Sequence, residues 1–279
     1  MSHYLIYNGQ LLRNDKPLLT ADNRGFRYGD GLFETLRVTN GNIKLAQYHF
    51  ERLFNGLHLL QFELPPFFNS QYLSDQIKLL CNKNGHSSAR IRLAVFRGNG
   101  GVFDPENHFP NTIIQSISLP DEGFMLNENG LVTGIYSTAT KNADVFANLK
   151  SNNYLPYTMA ALYSKQQQWN EALLLNNAGR ICDATIANVF IVKKDKIFTP
   201  ALTEGCVAGV MRRWLIEQLP SAGYVIEKTQ ITVGDILQAD EMFLTNAIKG
   251  IRWVQQCDKS KYNNRIVKAI YNDLLKNQP

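Results

Sequence analysis

Two Asn-Gly pairs, Asn8-Gly9 and Asn40-Gly41, each stand between short runs rich in apolar, aromatic and β-branched residues. A two-residue loop of this kind needs positive φ at both central positions, which Asn and Gly adopt at least cost. Its twist also matches that of the strands it joins. The first pair connects Tyr4-Leu5-Ile6-Tyr7 to Leu11-Leu12, and the second connects 32–38 to Ile43-Lys44-Leu45. The N-terminal part is thereby committed to antiparallel hairpins. From Ala46 the apolar period becomes helical, with Phe50, Leu53, Phe54, Leu57 and Leu60 on one side. The spacing predicts a second helix over about 70–82 and strands over 91–96 and 112–117.

A chain of 279 residues exceeds what one hydrophobic core ordinarily organises, so two domains are expected. Pro, acids and Gly cluster in Leu119-Pro120-Asp121-Glu122-Gly123. We place a smaller N-terminal α/β domain over 1–118, a linker over 119–128 and a larger C-terminal domain over 129–279. The larger one reads as a strand, a helix after Lys150, then strands near 172–175, 188–192 and 196–199. A helix from about Val210 to Leu219, strands near 224–227 and 241–245, and a helix near 265–275 complete it. The fold class is α/β (α+β).

Composition removes several functions. No window approaches eighteen apolar residues, so no membrane span is expected. Met1-Ser2-His3-Tyr4 lacks a basic segment followed by an apolar one, and no secretory signal is read. Cys81, Cys182, Cys206 and Cys257 are scattered without CxxC spacing. They read as reduced thiols of a cytoplasmic protein, with no metal site. The formal charge of +5 is modest, and no basic stripe with interleaved aromatics occurs, so nucleic acid is not an expected partner. The positive balance suits a small anionic substrate.

Reactive chemistry gathers around Lys150, in Asn148-Leu149-Lys150-Ser151-Asn152-Asn153-Tyr154, and Asp183, 33 residues further on. A partly desolvated lysine gives up its proton more easily, and a neutral amine condenses with a carbonyl. A carboxylate opposite it is what a pyridinium ring nitrogen needs; equally, Asp183 reads as a loop residue in an Asx turn. Gly205-Cys206-Val207-Ala208-Gly209-Val210-Met211-Arg212 runs from a strand end into a helix start. Unpaired N–H groups there can hold a phosphate, or the glycines simply make a tight connection. Arg52 lies three residues from His49 on one helix face, where its guanidinium fork can meet phosphate or water. Thr245-Asn246-Ala247 ends an apolar strand with a hydroxyl, an amide and backbone donors. Arg97, heading Arg-Gly-Asn-Gly-Gly, can bind a substrate carboxylate.

In their order along the chain, several segments resemble the fold-type IV pyridoxal-phosphate enzymes, the class-IV aminotransferase family. These are Arg24-Gly25-Phe26-Arg27-Tyr28-Gly29-Asp30-Gly31-Leu32-Phe33-Glu34-Thr35, His49-x-x-Arg52-Leu53, Lys150-x-x-Asn153, the acid before Asn188-Val189-Phe190, and Gly209-Val210-Met211-Arg212. The similarity spans nearly the whole chain. It implies pyridoxal 5'-phosphate (PLP) as cofactor and Lys150 as the Schiff-base lysine. It implies Arg52, the amides of Val210 and Met211, and Asn246 on the phosphate, with Asp183 facing the pyridine nitrogen. Arg97 and Tyr28 fall toward the substrate. The family fold is two α/β domains with the cofactor in the cleft between them, assembled as a homodimer.

Two departures stand out. Asp183 replaces the usual Glu and is shorter by one C–C bond, about 1.5 Å, so a ring-nitrogen contact needs a shifted backbone or a bridging water. Met211 replaces a frequent Thr. The stretches 96–101, 207–212 and 238–251 are similar to the family's 4-amino-4-deoxychorismate lyases, where Asn-Ala or Asn-Ser replaces the transaminases' Gly-Thr. The resemblance thus favours a lyase over a branched-chain or D-amino-acid transaminase. Lys150 and Arg52 together argue against a non-catalytic member.

Overall fold

Both Asn-Gly pairs turn as predicted in the computed structural model, which describes residues 3–276. Asn8 and Gly9 have φ of 47° and 79°, and Asn40 and Gly41 have 48° and 74°. The turns set the register, pairing Tyr7 with Gln10 and Thr39 with Asn42. The chain divides into two units, Met1–Glu122 with Leu149–Asn153, and Gly123–Asn148 with Tyr154–Pro279.

The first unit contains β1 (Tyr4–Tyr7), β2 (Gln10–Arg13), α1 (Arg24–Tyr28), β3 (Gly31–Thr39), β4 (Asn42–Ile43), α2 (Ala46–Leu59), α3 (Ser70–Asn84), β5 (Ala89–Phe96) and β6 (Asn111–Ser118). Its sheet runs β2-β1-β6-β5-β3-β4, antiparallel throughout. Leu53 and Leu57 of α2 and Leu73, Ile77 and Leu80 of α3 bury against Leu36, Val38, Ile91 and Leu93 of the sheet. Burying each such side chain contributes roughly 1.5–3 kcal/mol. The short helix α1 went unpredicted. The Asn23 side chain caps its start, and Gly29, with φ 65°, ends it after five residues, too few to show a period.

The second unit contains β7 (Leu131–Lys141), α4 (Leu155–Gln166), β8 (Glu171–Asn176), β9 (Ile181–Ala184), β10 (Asn188–Lys193), β11 (Lys196–Pro200), α5 (Val210–Gln218), β12 (Ile226–Thr229), α6 (Val233–Leu237), β13 (Glu241–Asn246), β14 (Gly250–Cys257), β15 (Ser260–Lys261) and α7 (Arg265–Ile270). Its sheet runs β12-β11-β10-β13-β14-β7-β8-β9, with β15 on β14. The sheet is mixed, since β11–β12, β14–β7 and β7–β8 are parallel. The architecture is thus the mixed α/β one expected.

Three strands escaped the sequence reading, β9, β14 and the two-residue β15. In β14 a register shift between Val254 and Gln256 breaks the alternation on which strand prediction rests. In β9 four buried residues leave no alternation to read, and Asp183 looked like loop. Asp183 therefore sits in a strand rather than in the loop turn considered above.

Residues 149–153 amend the unbroken 129–279 segment. The Phe33 amide donates to the Lys150 carbonyl at 2.9 Å, and the Asn152 amide donates to the Gly31 carbonyl at 3.0 Å. This short length of chain extends the first sheet along β3 and carries Lys150 with it. Gly31 is required there, because a β-carbon would stand 2.5 Å from the Val95 carbonyl and 2.9 Å from Asn152 Nδ2. Gly31→Ala should therefore destabilise the protein by about 1–3 kcal/mol through overpacking. Urea denaturation checks this, and an unchanged midpoint would refute it.

Candidate active site

Lys150 is held by its backbone, as just described, and its ammonium lies 4.6 Å from the centroid of the Phe33 ring. The Arg92 guanidinium lies 4.1 Å from the same centroid. Phe33 projects from β3 on the face opposite the core-directed Leu32, Glu34 and Leu36, because strand side chains alternate. Arg92 pairs with Thr35 across β3 and β5 and so shares the face of Phe33. Two cations are thus gathered on one aromatic ring. Arg92 was missed in the sequence; its signal was the alternation Arg90-Ile91-Arg92-Leu93, which marks it as the outward residue of a strand.

On the core-directed face, Glu34 is only 1% exposed. Arg52 grips it with both Nε, at 2.8 Å, and Nη2, while His49 Nδ1 lies 2.6 Å from its Oε2. Burial pushes the Glu34 carboxyl up, but the charge and hydrogen bonds of Arg52 and the hydrogen bond from His49 outweigh it. Together they hold the group at about 2, against 4.5 ordinarily. Burial keeps the His49 imidazole below its ordinary value against the pull of Glu34, so the ring is neutral. Since Glu34 is a carboxylate, Nδ1 carries the proton and donates it. His49 Nε2 is then the lone-pair nitrogen, buried without a partner among the described residues. Arg52 thus lies on the expected helix face, its charge already matched by a carboxylate.

In the second unit, Asp183 is 2% exposed and accepts four hydrogen bonds from four separate stretches of chain. Oδ2 accepts from the Tyr157 hydroxyl (2.7 Å), the Val207 amide (2.8 Å) and the Lys141 ammonium (3.3 Å). Oδ1 accepts from Asn188 Nδ2 at 2.8 Å, and the same amide group also donates to the Val207 carbonyl. A buried carboxylate is tolerated only when paired in this way.

Asn188 leads directly to the start of α5. A β-carbon on Gly209 would stand 1.8 Å from Asn188 Oδ1, so only glycine fits before this helix. No side chain caps it, and Val210 and Met211 open its first turn with the N–H groups that helix geometry leaves unpaired. Thr245 faces Asn188 across β10 and β13, so the two side chains share a sheet face. Thr245 Oγ1 is buried and finds no partner among the described residues. Asn246, expected on the phosphate, spends its side chain locally. Its Oδ1 accepts from the amides of Ile248 (3.0 Å) and Lys249 (2.8 Å), and its Nδ2 donates to the Ile186 carbonyl (3.4 Å).

Arg97 is likewise engaged. Nη1 binds Asp30 at 2.7 Å, Nη2 binds the carbonyls of Leu60 and Gln61, and the guanidinium lies 4.4 Å from the Phe62 ring centroid. Those partners ties the end of β5 into its own unit and occupy the fork expected for a substrate. Tyr28 is exposed at the end of α1, with the Arg24 guanidinium 5.5 Å from its ring centroid.

The family model Amino-transferase class IV matches residues 31–257. The aminodeoxychorismate lyase of Vibrio harveyi is 32% identical over 231 residues, 82% of this chain and 83% of that protein. The D-alanine aminotransferase of Listeria monocytogenes is 25% identical over 253 residues, 87% of this chain and 83% of that protein. Among solved structures, the branched-chain aminotransferase of Thermoproteus uzoniensis with norvaline shares the fold. Its TM-score is 0.87 at 22% identity, covering 98% of this chain and 93% of that one. The chain belongs to the class IV amino-transferase family. Members of that family are PLP-dependent enzymes, and this protein is one of them, a lyase or an aminotransferase.

The residues present fit the cofactor. An uncapped helix start suits a phosphate, and among the described residues the Thr245 hydroxyl lacks a polar partner and Asp183 Oδ1 has a lone-pair position left for a ring N–H.

The Glu34 cluster generates a stability prediction. A carboxyl depressed from 4.5 to about 2 contributes about 3 kcal/mol above its unfolded value, and that contribution is lost as pH falls from 4.5 through 2. Glu34→Gln should therefore be less stable than wild type by about 3 kcal/mol at pH 7, with the gap closing toward pH 2. Chemical denaturation at pH 7, 4 and 2.5 measures it. A gap that does not change with pH would show that Glu34 acts by shape alone.

Proposed function

We propose that the protein is an aminodeoxychorismate lyase, converting 4-amino-4-deoxychorismate to p-aminobenzoate and pyruvate. The observation that carries this reading is the 32% identity to the Vibrio harveyi lyase over four-fifths of both chains, against 25% for the D-alanine aminotransferase. The Thr245-Asn246-Ala247 strand end supports it, because Asn246 folds into its own turn and leaves the Thr245 hydroxyl as the unspent donor. A transaminase acting on branched-chain or D-amino acids is the second reading, favoured by the aminotransferase relative and by the shared fold. The reading includes a cytoplasmic homodimer and a small anionic amino substrate. Among the described residues no helix is long and apolar enough to cross a membrane.

When bound, the cofactor supplies an aldehyde that takes an amine and a ring that withdraws electrons. The chain's own residues do the rest. Lys150 Nζ is the amine that holds the aldehyde and, once displaced by substrate, the base that takes the substrate proton. A lyase needs Nζ only to take that proton and return it as pyruvate departs, whereas a transaminase needs it delivered to a second carbon. The amides of Val210 and Met211 would hold the phosphate at the helix start, with Arg52 as its cation and Thr245 as a neutral donor. Asp183 Oδ1 would accept from the ring nitrogen. Arg92, already beside the ring that carries Lys150, takes the substrate carboxylate in place of Arg97.

Supplying aminodeoxychorismate and following p-aminobenzoate and pyruvate tests the reaction. Glutamate formed from 2-oxoglutarate and a branched-chain or D-amino acid, without p-aminobenzoate, would reverse the choice. The purified protein should absorb visible light in a band removed by borohydride and absent in Lys150→Ala; a colourless protein that takes up no PLP sinks the reading. Arg92→Ala should raise KM for the anionic substrate at least tenfold, the scale of a lost hydrogen bond to a charged group, about 1.5–3 kcal/mol. PLP uptake should be unaffected, and an unchanged KM would return the role to another residue.

A further inference from the structure

The Asp183 carboxylate is loaded unevenly. Oδ2 accepts from Tyr157, Val207 and Lys141, whereas among the described residues Oδ1 accepts from Asn188 alone. A carboxylate oxygen offers two lone-pair positions, so Oδ2 is saturated and Oδ1 keeps one open. The two side-chain donors on Oδ2 are themselves fixed. Lys141 Nζ also donates to the Ala147 carbonyl at 2.8 Å and lies 5.3 Å from the centroid of the Tyr157 ring, with its side chain 11% exposed. The Tyr157 ring stacks on Tyr154 with centroids 4.3 Å apart.

We propose that Lys141 and Tyr157 are positioning residues for Asp183: they close Oδ2, draw charge from the carboxylate and leave Oδ1 to meet the cofactor's ring nitrogen, and so set how firmly that nitrogen keeps its proton. The proposal rests on the role given to Asp183 under Proposed function. Its physical basis is that a cation and a hydrogen-bond donor on one oxygen stabilise the carboxylate's charge. They thereby weaken the hydrogen bond that Oδ1 can offer to a ring N–H. The shortness of Asp183 makes the brace matter more, since a swing of the carboxylate would otherwise exchange its oxygens.

The surrounding groups do not share this task. Burial, with Asp183 next in effect, pushes the Tyr157 phenol well above its usual range, so it stays a donor. Burial pushes the thiols of Cys182 and Cys206 up, the latter to about 12, and they stay uncharged. The Arg212 guanidinium donates to the Pro200 carbonyl at 2.7 Å.

The test loads the protein with PLP carrying 15N in the ring and follows the ring-nitrogen resonance against pH. Lys141→Met and Tyr157→Phe should each hold the ring proton to higher pH by about one unit, a tenfold gain in proton affinity. Lys141→Arg should titrate like wild type, and Asp183→Asn should lose the ring proton at lower pH. If Lys141 and Tyr157 only kept β9 in place, their loss would loosen Asp183 and lower the midpoint or leave it unchanged, and either result overturns the proposal. Thermal melting of the PLP-free variants separates unfolding from retuning, and Tyr157→Phe, which keeps the stacked ring, decides the matter if Lys141→Met does not fold. Asp183→Asn titrating like wild type would overturn the role of Asp183 itself, and the brace with it. A shifted Asp183→Asn beside unshifted Lys141→Met and Tyr157→Phe overturns the brace alone.

Discussion

The C-terminal unit is organised around one buried carboxylate. Asp183 on β9 gathers a donor each from β7, α4, β10 and the loop before α5. Removing an ion from water costs several kcal/mol, which is offset only if its lone pairs are met by well-placed donors. Four stretches of chain therefore have to arrive at the same point. Asn188 extends the arrangement, since its amide binds both Asp183 and Val207 while its oxygen lies where only a glycine at 209 can pass. The start of α5 is positioned by the same contacts that satisfy the carboxylate.

The N-terminal unit solves a similar problem differently. Glu34 interrupts an apolar strand face between Leu32 and Leu36, and α2 brings His49 and Arg52 to it. On the other face of that strand, Phe33 carries Lys150 and Arg92. One strand thus sorts the charged groups by the alternation of its side chains, with the carboxylate and its partners to one side and the two cations on the aromatic ring to the other. Arg97, one residue past the end of β5, is drawn instead to Asp30 and two carbonyls.

Much of the fold was legible because local rules governed it. The Asn-Gly turns, the helical period after Ala46 and the strands of the first sheet are all short-range signals, and the structure keeps them. What failed were elements whose cause is distant. β9 is a strand only because β8 pairs with it, and β14 carries an irregularity that hides its alternation. From motif order the family was readable. The engagement of Arg97 and Asn246 was not, because it depends on partners that are invisible in one dimension, such as the Asp30 carboxylate or a turn that closes back on its own amides.

The sequence by itself determined the hairpins, the longer helices of the first unit and the family, since each follows from residue type and order. Only the tertiary structure decided that 149–153 pair with the first sheet, that Arg92 rather than Arg97 stands by the lysine's ring, and that Lys141 and Tyr157 crowd one oxygen of Asp183. The reason is physical. A backbone turn is fixed by the φ and ψ of adjacent residues, whereas the state of a buried charge is fixed by whichever donors the folded chain brings within hydrogen-bond distance.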